Sequence, residues 1–197
     1  MQNDNVSIAG IKGMLHNFKA SFEGHPISLQ EIRNTLNKVE TTEIDFIDLL
    51  EKHHDYLEES ISVLTDKEAP SSEKQAHLAR FIQLLKMHGR AEEETLYQSL
   101  KYATEKEARL EGFAGQDEHD VAFQMAQELE EMNFETAWSE EIDAKAKVLA
   151  SLVQNHIKEE ETEMFTIAEN AIEPIKMRVV SETYLEKCKA YLDEGLI

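Results

Sequence analysis

The chain is predicted to be all-α: an up-down-up-down four-helix bundle with extra short helices at both termini. Three observations carry the prediction. The 197 residues include only 7 Gly and 3 Pro and are rich in Glu, Ala, Leu, Lys and Gln, all at ease in helices. Apolar residues recur at alternating intervals of three and four over several long stretches, the period of one helical face. No run of alternating β-branched residues bounded by hairpin signals occurs. The length suits one main domain with appended segments and a substantial core.

Residues 6–23 carry Ile8, Ile11, Leu15, Phe18 and Phe22 at this spacing, a short amphipathic helix that Gly24-His25-Pro26 ends. Ser28-Leu29-Gln30-Glu31 has the form of a capping box, and Leu29, Ile32, Leu36 and Val39 give a second short helix its inward face. Residues 1–42, which hold no ligand pattern, read as a helical extension: extra packing on the bundle first, with a lid or a docking segment as the alternatives. The first long helix runs from about Ile44 to Leu64, with Ile47, Leu50, His54, Leu57, Ile61 and Leu64 in one stripe. This phasing turns His54 inward and leaves His53 about 100° away.

After a loop ending at Pro70-Ser71-Ser72, the capping-box form Ser72-Glu73-Lys74-Gln75 starts the second long helix. It reaches about Lys101 with the stripe Leu78, Phe81, Leu85, His88, Glu92, Thr95 and Ser99. Residues 103–116, with Gly112 and Gly115, read as irregular. The third helix then spans about Asp117 to Met132, with His119, Ala122, Ala126 and Leu129 on one side. Asn133 to Trp138 is a loop, and Ser139-Glu140-Glu141 caps the fourth helix. Its stripe is Ile142, Ala146, Leu149, Val153, His156, Glu160, Met164, Ile167 and Ala171, and Glu173-Pro174 ends it. The bundle thus occupies residues 43–172, and a last amphipathic helix, roughly Ile175 to Leu192, fills residues 173–197.

With 40 acidic against 20 basic residues the formal charge is −20, which argues against nucleic acid and anionic membranes as partners. The single cysteine, Cys188, rules out an internal disulfide framework and fits a reducing compartment. The stretch MQNDNVSIAG has no basic region followed by an apolar core, so no signal peptide is expected, and no stretch approaches the length of a spanning helix. A cytoplasmic location is the expectation.

Six polar residues interrupt the inward stripes: His54, His88, Glu92, His119, His156 and Glu160. Placing such groups in a core costs desolvation energy, which pairing or a metal must offset. Four imidazoles and two carboxylates, drawn from four helices, form a plausible ligand set for two transition-metal ions. In each His-x-x-x-Glu pair the two side chains lie about 40° apart on one face, one turn apart. Two carboxylates and a bridging hydroxide would offset most of the charge of two divalent ions.

Glu93 and Glu161 fall about 140° from their motif histidines and are expected to face water. Glu163 lies about 10.5 Å up the axis from His156, too far to share an ion with it. His77 reads as packing, and His16, His25 and His53 as structural or surface residues. At about 1.5 Å rise per residue His54 and His88 reach similar heights, as do His119 and His156. The joint that does not match is the second-to-third connection, because His119 falls near its predicted helix start.

The pattern resembles the hemerythrin-like family, the HHE cation-binding domains. The resemblance rests on Glu51-Lys52-His53-His54-Asp55, Met87-His88-Gly89-Arg90-Ala91-Glu92-Glu93-Glu94-Thr95-Leu96-Tyr97, Asp117-Glu118-His119-Asp120, and His156-Ile157-Lys158-Glu159-Glu160-Glu161-Thr162-Glu163-Met164-Phe165. It covers about residues 43–172. It implies that His54, His88, His119 and His156 are terminal ligands, and Glu92 and Glu160 bridging ligands, of an oxo- or hydroxo-bridged non-haem di-iron centre. The same donors also accommodate Zn or Mn. The oxygen-carrying members place a further histidine where this chain has Phe123, a departure that leaves a coordination position open for O₂, NO or peroxide.

The resemblance therefore implies a protein binding or sensing O₂, NO, peroxide or iron. Two other readings stand beside it: a di-iron enzyme reducing peroxide or NO, and a metal-free helical interaction protein.

Overall fold

The computed structural model describes residues 28–38 and 45–194, and among these every regular element is a helix. The helix expected over residues 6–23, with His16 and His25, lies outside them, as does Val39. Helix α1 is Leu29–Lys38. The capping box forms as read: Ser28 Oγ accepts from Glu31 N at 3.2 Å, and Ser28 N donates to Glu31 Oε2 at 2.9 Å. Ile32 and Leu36 are buried, and Arg33 ties α1 to the far end of the chain by donating to Leu192 O at 2.5 Å.

Helix α2 is Phe46–Thr65, capped by the Asp45 carboxylate, which accepts from Ile47 N. Helix α3 is Ser71–Glu92. The box expected at Ser72 does not form; the cap lies two residues earlier, at Pro70, with no side-chain cap bond. The chain then stays right-handed helical through a π-helical turn, Glu93–Tyr97, into a last turn, Gln98–Lys101.

Helix α4 is Lys106–Glu131, so most of the stretch read as irregular is helical. The glycines misled because here they serve close packing. A Cβ on Gly112 would sit 2.9 Å from the Tyr97 carbonyl oxygen, and one on Gly115 would sit 2.7 Å from Tyr97 Cζ. The longer helix also removes the mismatch of heights, since His88 and His119 each lie thirteen residues from the turn between Lys101 and Lys106. Asn133, with φ of 54°, takes the left-handed conformation that ends α4.

Helix α5 is Glu140–Glu159, capped by Ser139 Oγ, which accepts from Ile142 N. It too runs through a π-helical turn, Glu160–Met164, into Phe165–Ala171. Helix α6, Pro174–Glu194, spans 21 residues and is not a short appendage. Among the described residues, α2 packs on α3 and α5, α4 on α5 and on Gln98–Lys101, and α6 on α3 and its π turn. The core between them is Leu, Ile, Phe and Ala, with His77 buried in it as packing. No helix among the described residues is long and apolar enough to cross a membrane.

Asp143 locks one end of the bundle. It accepts from Lys74 at 2.8 Å, from Lys147 at 2.5 Å and from Trp138 Nε1 at 3.3 Å. Burial pushes its carboxyl up, but these three bonds outweigh it and hold it down at about 2. A depressed carboxyl stabilises the fold above its unfolded pKa, near 4, and this contribution disappears as pH falls toward 2. Asp143→Asn should therefore lower stability at pH 7 by about 1 kcal/mol in urea denaturation, solvent screening at this part-exposed site reducing the effect, the gap to wild type closing below about pH 4. Gly115→Ala should also destabilise, by about 2 kcal/mol in the same measurement, because overpacking the buried Tyr97 ring outweighs the helix-propensity gain.

Candidate metal centre

All six stripe residues converge. His54 comes from α2, His88 and Glu92 from α3, His119 from α4, His156 from α5, and Glu160 from the π turn next to it; all six are buried. Two groups emerge, His54, His88, Glu92 and Glu160, and Glu92, His119 and His156, and within each group one donor atom per residue lies within 4.8 Å of the others. Either group could hold a cation, and Glu92 belongs to both. His54 Nε2 lies 3.1 Å from His88 Nε2, and His119 Nε2 lies 2.9 Å from His156 Nε2. Imidazole nitrogens so paired converge their lone pairs on one spot, the arrangement a metal uses.

The carboxylates test whether a metal fits. Both oxygens of Glu92 and Oε2 of Glu160 are buried without a hydrogen-bond partner. Glu92 Oε2 lies 3.2 Å from His88 Nε2 and 3.7 Å from His119 Nε2 without hydrogen-bond geometry. A dry carboxylate without donors costs several kcal/mol unless a proton or metal neutralises it. With protons alone, burial and then repulsion from Glu160 and Glu93 hold Glu92 well above the carboxylate range. Burial also raises Glu160, but His156 and His54 overcome it and hold this carboxyl near 2. Burial pushes His54 down, yet the Glu160 carboxylate 3.2 Å away and the bond to Glu161 raise it to about 9. Burial and the surrounding imidazoles keep His88 well below its usual value. The donor set fits a cation: one ionised carboxylate, one neutralised by burial and repulsion, and imidazoles presenting Nε2.

A second layer holds the imidazoles through Nδ1. His54 donates to Glu161 at 2.8 Å and His156 to Glu118 at 2.6 Å, while His119 Nδ1 lies 3.4 Å from Glu93 Oε1. His88 Nδ1 instead meets the Tyr184 hydroxyl at 2.7 Å. Such partners fix the tautomer that leaves Nε2 free for a metal. Ideal helical phasing points Glu93 and Glu161 toward water, and Glu161 is exposed and Glu93 half-buried as they reach their imidazoles. The π turns make the difference, because widening a turn by a residue rotates the downstream side chains toward the centre. The same rotation buries Tyr97 and Phe165, each nine residues after a motif histidine and so about 180° from it on an α-helix. Tyr97 donates to Glu160 Oε1 at 2.5 Å, and Phe165 stacks on His54 with centroids 5.8 Å apart.

His53, expected as structural or surface, is buried, and its Nδ1 lies 2.6 Å from the same Tyr184 hydroxyl. Phe123 packs on His119, ring centroids 5.6 Å apart, and its Cζ would lie 2.8 Å from a Cβ on Gly89, so the missing side chain at Gly89 makes its room. A cleft of about 640 Å³ between the ends of α3, α5 and α6, lined by Thr95, Ser99, Tyr102 and Ile172 among others, includes none of the six residues.

Comparison with known families bears on this geometry. The family model of the hemerythrin HHE cation-binding domain matches residues 45–168, the span that holds all six residues. Neither the comparison with curated proteins nor that with solved structures gives a match. With the family model covering well over half of the chain and a His/Glu cluster able to hold metal inside it, the protein belongs to the hemerythrin HHE cation-binding domain family.

Proposed function

We propose that this is a non-haem di-iron protein of hemerythrin type that binds or senses O₂, NO, peroxide or iron itself. The observation that carries this reading is Glu92, fully buried, common to both donor groups and without a hydrogen bond on either oxygen. His54, His88, Glu92, His119, His156 and Glu160 would hold the two ions, Glu92 and Glu160 between them. The reading includes an up-down-up-down order of α2 to α5, which the short connections support. It also includes a cytoplasmic location, which the buried free thiol of Cys188 suits.

Bound iron would supply reversible ligation and redox chemistry toward a small diatomic molecule or peroxide. The protein's own part is positional. Glu161 and Glu118 orient His54 and His156, Tyr97 occupies the outer lone pair of Glu160, and Phe165 and Phe123 wall the site with apolar rings that exclude water. The Tyr97 hydroxyl, 3.3 Å from His119 Nε2 and 3.2 Å from His156 Nε2, stands beside the imidazoles of only one of the two donor groups, the one that Phe123 also borders. This asymmetry also favours a second reading, reduction of peroxide or NO with electrons from an external reductant. Turnover of either substrate, absent in Glu160→Ala, would single it out.

Elemental analysis of the purified protein beside His156→Ala/Glu160→Ala tests the metal reading. The expected result is about two Fe per wild-type chain, one per donor group, and loss of most of it in the double variant. Wild-type protein that takes up no metal even after anaerobic iron reconstitution would overturn it.

A further inference from the structure

Three of the four clustered imidazoles turn Nδ1 toward a carboxylate of the four-helix core. The fourth, His88, is held by a residue from outside it. Tyr184 lies on α6, beyond the matched span of residues 45–168, and is fully buried. Its hydroxyl meets His88 Nδ1 at 2.7 Å and His53 Nδ1 at 2.6 Å, and its ring packs edge-on against Phe46, centroids 5.5 Å apart. We propose that Tyr184 is a positioning residue of the metal centre, which makes α6 a working part of that centre. The inference rests on the cation-binding reading above.

The hydrogen-bond inventory gives the bonds one direction. A hydroxyl has a single proton, so Tyr184, which also bonds the Cys188 thiol, can donate to only one of these groups. For His88 Nε2 to keep its lone pair for an ion, Nδ1 must carry the proton and donate to Tyr184. Tyr184 is then free to donate to His53 Nδ1, 2.6 Å away. The tautomer of His88 is thus fixed by two residues that are not themselves in either donor group.

A second contact places α6 independently. Glu94, inside the π turn that also carries Glu93, receives both Lys187 and Tyr191 of α6. Docking of α6 therefore fixes the π turn from outside and His88 from within. The two ion positions are consequently unequal: the His54/His88 position depends on α6 through Tyr184, and the His119/His156 position draws its second-layer partners, Glu93 and Glu118, from α3's π turn and α4.

The test is anaerobic titration of metal-free full-length protein with Fe(II), and with redox-silent Zn(II), against a competing chelator. Tyr184→Phe keeps the ring and removes only the hydroxyl; Phe46→Leu loosens the ring's packing and keeps the hydroxyl. Wild type should bind two equivalents. Tyr184→Phe should weaken one of them by about 10- to 100-fold and leave the other unchanged, while Phe46→Leu lowers thermal stability and leaves both affinities as they were. Wild-type affinity for both equivalents in Tyr184→Phe would overturn the proposal, as would an equal loss at both sites in the two variants. A wild type that binds neither cation would instead remove the cation reading, and this inference with it. If Tyr184→Phe does not fold, hydrogen exchange of wild type decides: added Zn(II) must slow exchange across Pro174–Glu194, and unchanged exchange there overturns the proposal.

Discussion

Glu92 is fully buried where the four core helices converge, within 3.7 Å of two imidazole nitrogens and without a hydrogen bond on either oxygen. No packing argument retains a carboxylate in such a place, since an apolar side chain of similar volume would spare the desolvation cost. The surrounding architecture is arranged to keep it there. Of the two imidazoles it faces, His88 is held through Nδ1 by the Tyr184 hydroxyl, and His119 Nδ1 lies 3.4 Å from Glu93 Oε1. The protein accepts a less stable core in exchange for a neutralisable one, the usual relation between site and scaffold.

The two halves of the centre repeat one device. His88, Glu92 and Tyr97 have the same spacing as His156, Glu160 and Phe165, and each set runs into a π-helical turn immediately after or at its glutamate. The widened turn brings an outer carboxylate, Glu93 or Glu161, round toward a histidine on another helix and swings the aromatic ring inward. The repeat is imperfect in one respect with chemical consequences. Tyr97 has a hydroxyl to give Glu160, whereas Phe165 has none to give Glu92, so one carboxylate is partly satisfied and the other is left bare. That hydroxyl adds to a larger contrast: His156 and His54 hold Glu160 ionised, while burial and repulsion from Glu160 and Glu93 act on Glu92.

The α-helical period is enough to find the helices and the six stripe residues, because His54 and His119 lie on helices without a π turn and the other four lie before one or at its edge, where ideal phasing still holds. It fails beyond that point. Ideal phasing turns Ser99 inward, yet it is only half-buried, while Tyr97, on the opposite side by the same phasing, is fully buried. The outer partners Glu93 and Glu161 escape sequence reasoning for the same reason, Glu118 because its single-histidine segment carries no pattern, and Tyr184 because only the folded chain brings it to His88. Gly112 and Gly115 mislead in a different way: an isolated glycine reads as a breaker, and only the Tyr97 ring and backbone packed against them reveal closeness as their purpose. One further signal is present in the sequence: aromatic residues nine positions after each motif histidine, in both long helices.

The central claim is that Glu92 is kept for a cation and at the expense of stability. Urea denaturation of metal-free wild type beside metal-free Glu92→Met tests it most directly, since methionine fills nearly the same volume without a polar group. The account predicts that the variant is the more stable of the two, by about 1–3 kcal/mol, and gains nothing further when iron is added. A metal-free variant clearly less stable than wild type would contradict the account and make Glu92 a structural residue of the core.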